Sequence, residues 1–406
     1  MSDSDLSGRR TVAFVGAYAD GDQQGGIHAF SVEAGGERLV PLGRVTTPQQ
    51  AGYLVYRSET RTLYAVDERK TDGRGPVQAP AAVHAFAVAP EGELTPLGSC
   101  PALGAFPTYL ALAENPARLL SVSHGSFDHV ERVVRDADGW HTEYVYDDST
   151  VVMYNLEDDG RVGEIVDVQV LEGHGLDPNG SPQAGGHGQA SAHAHSAAVD
   201  PSGRYVLVAD KATDQIHVYT LDESNLTLLS TYQAAPETGP RHLVFDASGR
   251  RVFATYEFSS EVVSFGFDVH SGSLTMLDAV ATVFPYPGRI NEPADIRVHP
   301  SGSTVYVNNR GEDSLAWFGV SDAGALVRRG HVQLAASVHP GLAARSFAIA
   351  PDGDFLLLAD RPAGLVRSYA VSAEGDGALE PVGEAAVPGA AFVAIITFDA
   401  PRGDAG

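Results

Sequence analysis

The sequence predicts an all-β fold, a seven-bladed β-propeller whose last blade is closed by strands from both chain ends. Three observations predict it. A phrase of turn residues followed by β-formers occurs six times along the chain. Its copies lie near the spacing of a four-stranded blade. The chain ends carry the two halves of one further copy.

The six phrases are Glu59-Thr-Arg-Thr-Leu-Tyr-Ala-Val-Asp67, Asn115-Pro-Ala-Arg-Leu-Leu-Ser-Val-Ser123, Pro201-Ser-Gly-Arg-Tyr-Val-Leu-Val-Ala-Asp210, Ala247-Ser-Gly-Arg-Arg-Val-Phe-Ala-Thr255, Pro300-Ser-Gly-Ser-Thr-Val-Tyr-Val-Asn308 and Pro351-Asp-Gly-Asp-Phe-Leu-Leu-Leu-Ala-Asp360. Aligned on the turn they sit at Thr60, Ala117, Gly203, Gly249, Gly302 and Gly353. Subtraction gives spacings of 57, 86, 46, 53 and 51 residues. A short apolar strand precedes the phrase, as in Arg241-His-Leu-Val-Phe245, Ala294-Asp-Ile-Arg-Val298 and Arg345-Ser-Phe-Ala-Ile349. In a blade that strand is innermost. An alternating strand follows, such as Gln215–Thr220, Glu261–Phe265 or Ser314–Phe318, then a weaker outer strand such as Asn225–Leu229.

At the ends, Arg10–Gly16 resembles the phrase without an inner strand. Ala391–Ile396 resembles an inner strand without a phrase. Joined, they make the seventh blade and remove the edges an open ring would expose. Residues 1–406 are therefore expected to form a single propeller domain without a linker. The spacing of 86 residues holds two insertions, at about 124–148 and 173–192, both expected as extended loops. The second leads into His193 and is expected to fold over the channel mouth.

Composition sets outer limits. A chain of 406 residues exceeds the usual single core, so domains or repeats are required. Apolar residues at 43% and charged residues at 19% fit a folded soluble chain. The net charge of −25 argues against nucleic acid and anionic membrane as partners. An anionic substrate would need local positive charge at its site. Cys100 is the lone cysteine, so no intrachain disulfide or thiolate metal cluster can form. Met1–Arg10 has no signal-peptide core, and no apolar run is long enough to span a bilayer. A cytoplasmic monomer or dimer is expected.

Polar residues recur at fixed places in the blades. Inner strands begin with His193-Ala-His195, Arg241-His242, Asp295 and Arg345. The phrase strands end with Asp210-Lys211, Tyr256-Glu257, Asn308-Asn309-Arg310 and Asp360-Arg361. Both places lie near one mouth of a propeller channel, so His195, Arg241, Glu257 and Arg310 are expected to converge. A carboxylate and an imidazole can be tuned for proton transfer. Two guanidiniums suit an anionic group and a developing oxyanion.

Each residue also has a structural reading. Arg and Glu at blade ends can form inter-blade ion pairs. His193 and His195, on one strand face, make a weak metal signal without a placed carboxylate or cysteine, and no metal or cofactor is expected. Asp200, Asp246 and Asp268 read as turn caps. No nucleophile elbow, nucleotide loop or zinc-protease motif is present, and Ser196 faces away from His195.

Four segments carry a resemblance: His193-Ala-His-Ser-Ala-Ala-Val-Asp-Pro-Ser-Gly-Arg204, Gly239-Pro-Arg-His-Leu-Val-Phe245, Tyr256-Glu-Phe-Ser-Ser260 and Val307-Asn-Asn-Arg-Gly311. Together with Val15-Gly-Ala-Tyr18 and Gly26-Ile-His-Ala-Phe30, they resemble the lactonase family of seven-bladed propellers. That family includes propeller-type 6-phosphogluconolactonases and carboxy-cis,cis-muconate cyclases. In the cyclases a His, an Arg, a Glu and a second Arg are proposed as the active site. By motif these fall on His195, Arg241, Glu257 and Arg310. The resemblance also implies flanking substrate contacts at Tyr18, His193, His242, Tyr256 and Asn309. One departure stands out: the family's Asn-Tyr at the end of the Asn115–Ser123 phrase is replaced by Ser123-His124, followed by the charged insertion.

The expected function is metal-independent hydrolysis of a sugar-acid lactone such as 6-phosphogluconolactone. Glu257, with His195, would activate water, while Arg241 and Arg310 hold the anion. A lactonising cycloisomerase acting on a polycarboxylate and a non-catalytic binding propeller are the alternatives.

Overall fold

The computed structural model describes residues 9–71, 80–180, 188–283 and 290–399. Seven four-stranded antiparallel sheets form the blades. Their innermost strands, numbered here as blades 1 to 7, are Ala51–Arg57, Pro107–Glu114, Ala194–Val199, Pro240–Phe245, Glu292–Val298, Ser346–Ile349 and Ala390–Asp399. Each inner strand neighbours the next around a closed ring.

The phrases form the second strands, and they are apolar for most of their length because blades cover them on both sides. Thr62–Asp67, Tyr205–Asp210 and Phe355–Asp360 are buried at every position. This is why they read as continuous apolar runs rather than as alternating patterns. The turns before them need a left-handed residue, supplied by Gly203 (φ +74°) and Gly302 (φ +75°). Asp200 closes its turn by accepting from the Tyr205 and Ser202 amides at 2.7 and 3.0 Å. Asp246 accepts from Ser248 and the Arg250 amide, and Asp268 from the His270 amide. All three aspartates are turn caps.

Blade 7 is built as the chain ends require. Ala390–Asp399 pairs antiparallel with Arg9–Ala17, matching Val15 to Val393 and Thr11 to Thr397.

The insertion after His124 is not an extended loop. It is a two-stranded ribbon, His129–Asp136 paired with Gly139–Tyr146. Its short turn is held by Asp136 Oδ1, which accepts from the Asp138 amide at 2.8 Å. The ribbon packs chiefly against itself and leaves Val133, Trp140 and Tyr144 exposed. Of the second insertion, residues 181–187 lie outside the described residues. Its flanks are anchored beside blade 3. The Gly175 amide donates to the Gln189 carbonyl at 2.9 Å, and buried Gln189 donates to Asp214 Oδ2 at 2.8 Å.

Candidate active site at the channel mouth

A shared irregularity aims the mouth residues inward. In blade 3, Ala194 pairs with Asp210 and Ser196 with Ala209, so His195 is an extra residue in the ladder. In blade 4, Arg241 is extra between Pro240 and His242. In blade 2, Thr108 is extra between Pro107 and Tyr109. Such bulges re-aim a side chain and free a carbonyl from the ladder. The neighbouring blade occupies that carbonyl. Thr108 donates to the His195 carbonyl at 3.3 Å, and Ser196 donates to the Arg241 carbonyl at 2.8 Å. Ser196 is thus a buried strut.

The second strands contribute the residue just past their ends, or in blade 5 the last residue of the strand. Around the ring from blade 7, these residues are Tyr18, Glu68, His124, Lys211, Glu257, Arg310 and Arg361. Every one is polar or charged. Combined with the bulge residues, they form two carboxylate-centred clusters.

The first cluster spans blades 3, 4 and 5. Glu257 is fully buried, and its Oε1 accepts from Lys211 Nζ at 2.9 Å. Its Oε2 lies 2.6 Å from Arg241 Nε and 3.0 Å from an Arg310 terminal nitrogen. Those two contacts are close but off-axis. Arg241 Nε and Nη1, Arg310 Nη2 and Glu257 Oε2 are buried without an aligned hydrogen-bond partner among the described residues. Such groups are costly to bury, and the arginine N–H donors among them are ready for an oxygen-rich ligand. Arg310 is steadied by the Glu292 carbonyl at 3.1 Å and its carboxylate at 3.2 Å.

Four buried histidines flank this cluster. His124 stacks on His193, with centroids 4.4 Å apart, and lies 5.5 Å from His195, which lies 5.2 Å from His242. The His193 Nδ1–H donates to the His124 carbonyl at 2.8 Å, and His242 Nδ1 lies 3.2 Å from Asp295 Oδ1. These bonds leave Nε2 of both His193 and His242 unpartnered. His195 Nδ1 is buried and unpartnered as well. Burial, then Arg241, holds His195 well below the usual imidazole range. Burial likewise lowers His193 to about 4 and His242 to about 3. At neutral pH the imidazoles are uncharged.

Burial raises Glu257, but Lys211, Arg310 and Arg241 together outweigh it and hold the carboxyl below the usual range. The surroundings therefore run against the expected water-activating role of Glu257, because its oxygens face three cations while His195 Nδ1 is left without a partner.

The second cluster spans blades 6, 7 and 1. An Arg345 terminal nitrogen reaches both Glu68 oxygens at 2.6 Å, and Tyr18 Oη donates to Glu68 Oε2 at 2.5 Å. Arg361 lies over the Tyr18 ring, 4.8 Å from its centroid. Aromatic rings link the inner strands of blades 7, 1, 2 and 4. Tyr53 packs 4.1 Å from Tyr109 and from Phe392, and Tyr109 reaches His242 of blade 4 at 5.1 Å.

His195, Arg241, Glu257 and Arg310 are thus brought together, with His193 and His242 beside them. Tyr18 lies in the second cluster. Tyr256 and Asn309 are not at the mouth. Tyr256 packs in the core between blades 3 and 4. Asn309 is committed to Ser314, Thr282 and Asn291. Each precedes a mouth residue on its strand and so points the opposite way. Lys211, His124, Glu68, Arg345 and Arg361 were not among the expected site residues. The signal for most of them is their shared place one residue past a second strand.

Comparison with known proteins gives a consistent picture. A family model described as lactonase, 7-bladed beta-propeller, matches residues 12–395. A 6-phosphogluconolactonase of Formosa agariphila is 25% identical over 356 residues, covering 86% of this chain and 89% of that protein. One from Bacillus subtilis is 25% identical over 311 residues, covering 76% and 78%. A periplasmic gluconolactonase from Pseudomonas aeruginosa has the same fold, with a TM-score of 0.78 at 23% identity over 96% of this chain and 99% of that one.

Proposed function

Because this chain belongs to the lactonase family of seven-bladed β-propellers, we propose that it hydrolyses a sugar-acid lactone without a metal, 6-phosphogluconolactone being the substrate of first choice. One observation carries the reading: three cations from adjacent blades surround a buried carboxylate beside a neutral, unpartnered imidazole. His195 takes a proton from water, and the resulting hydroxide attacks the lactone carbonyl. Arg241 and Arg310 hold the oxyanion with N–H groups that are off-axis from the Glu257 carboxylate beside them. The ring C–O bond then breaks, and His195 returns the proton to the leaving alkoxide. Glu257 fixes the three cations. Asp295 holds His242 in one tautomer, with its Nε2 lone pair beside His195.

The proposal includes a small anionic substrate and a cytoplasmic setting, the latter supported by the lone Cys100. No helix of the described residues is long and apolar enough to cross a membrane. The test offers the purified, chelator-treated protein 6-phosphogluconolactone and a carboxymuconate in parallel. Ring opening, lost in Arg310→Ala, is expected. Ring closure alone would reassign the site as a cycloisomerase, and no turnover of either would leave a binding propeller.

A further inference from the structure

We propose that the Glu68 cluster on blades 6, 7 and 1 is a second anion subsite, built to hold a phosphate or carboxylate at the far end of the lactone opened at the Glu257 cluster. This inference rests on the lactonase reading and adds the origin of its specificity.

Ion pairing within the cluster accounts for only part of it. Glu68 is satisfied from inside the protein, by Arg345 at both oxygens and by the Tyr18 hydroxyl. Arg361 is left over. Its guanidinium lies 4.8 Å from the Tyr18 centroid, while that of Arg345 lies 5.3 Å from the same ring. Two guanidiniums therefore share one aromatic ring, and their charges oppose each other. Of the two, only Arg345 has a carboxylate at ion-pair distance among the described residues. The one hydrogen bond found for Arg361 among the described residues goes to the Gly341 carbonyl at 3.4 Å.

Arg361 also faces space. With Tyr18, Gln23, Gly389 and Asp20 it lines an open cleft of about 390 Å³. A group with several oxygens can accept from the Arg361 fork and relieve the repulsion between the two arginines. Asp20 at the cleft rim opposes an anion in part and sets an upper limit on the affinity. The two clusters share one mouth, since Arg310 and Arg361 stand at the same ends of the second strands of neighbouring blades 5 and 6. A compact sugar acid can therefore place its lactone at one cluster and its terminal anion at the other. A neutral lactone would engage the first cluster alone.

The test measures binding of gluconate 6-phosphate and gluconate by calorimetry, then kcat/KM for the corresponding lactones. It compares the parent with Arg361→Ala, Arg361→Lys and Asp20→Asn. The parent should prefer the phosphorylated ligand. Arg361→Ala should cut that preference about tenfold, in the range of one charge-assisted hydrogen bond. Arg361→Lys should restore part of it, and Asp20→Asn should increase it. Equal binding of the two ligands by the parent, or a preference that survives Arg361→Ala but falls in Arg310→Ala, overturns the subsite. Calorimetry reads the subsite even if no lactone is turned over. Hydrolysis without preference would remove the subsite and leave the hydrolase standing.

Discussion

Glu257 is the residue on which the mouth depends. It has no exposed surface, and three cations end on it. Removing one partner of a buried ionic cluster leaves the others uncompensated, at a cost of roughly 3–5 kcal/mol. Glu257→Gln should lose about that much stability in urea unfolding. A loss under 1 kcal/mol would show that the cations do not need it. His195 makes the complementary prediction. Burial and Arg241 hold its pKa below the usual 6.5, so the base form persists into mild acid. The pH profile of kcat/KM for lactone hydrolysis should therefore be flat from about pH 8 to 6.5 and fall only at lower pH. A limb with a midpoint at or above 6.5 would exclude His195 as the base.

At the scale of the element, the bulge is the device that makes a site from a repeat. In blades 2, 3 and 4 it gives the inner strand one extra residue, and hydroxyls of the preceding blade, Thr108 and Ser196, hold the freed carbonyls of His195 and Arg241. Ser196→Ala would orphan the Arg241 carbonyl and should cost about 1–3 kcal/mol by the same unfolding measurement. The ribbon 129–146 is the opposite kind of element. Replacing it with a short turn should change stability by no more than about 0.5 kcal/mol, because little of the ring packs on it.

Elements also explain what could be read from the sequence. The second strands were legible because burial on both faces makes them apolar for most of their length. The closing blade was legible because its two halves are complementary. His195, Arg241, Glu257 and Arg310 were legible from blade position and motif. Tyr256 and Asn309 lie away from the mouth because neighbours on a strand face opposite ways. The ribbon was read as a loop because its charge masked a strand pattern, although Asp138-Gly139 marks a hairpin turn. Lys211 and Arg361 stood in view at strand ends, but their role depends on partners from other blades. Glu68 and Arg345 come together only once the ring closes, 277 residues apart in sequence.

The whole molecule sets an acidic chain around a cation-rich mouth. The net charge is −25, yet Lys211, Arg241, Arg310, Arg345 and Arg361 gather at one opening. Global stability should carry the signature of the buried histidines. His193 is lowered to about 4, His242 to about 3 and His84 to about 4, each chiefly by burial. A folded pKa below the unfolded 6.5 means that the unfolded chain binds more protons in between. Stability is therefore complete above about pH 6.5 and falls as pH drops toward 3, by on the order of 3 kcal/mol per histidine. Unfolding midpoints measured from pH 8 to 4 should show that decline, and a constant midpoint would mean that these imidazoles are solvated.

The most direct measurement is the rate of 6-phosphogluconolactone hydrolysis by the parent and by His195→Ala, with and without added imidazole. A loss of about 10²-fold or more in kcat is expected for a variant that still folds, partly restored by imidazole. A variant that opens the lactone as fast as the parent would contradict it.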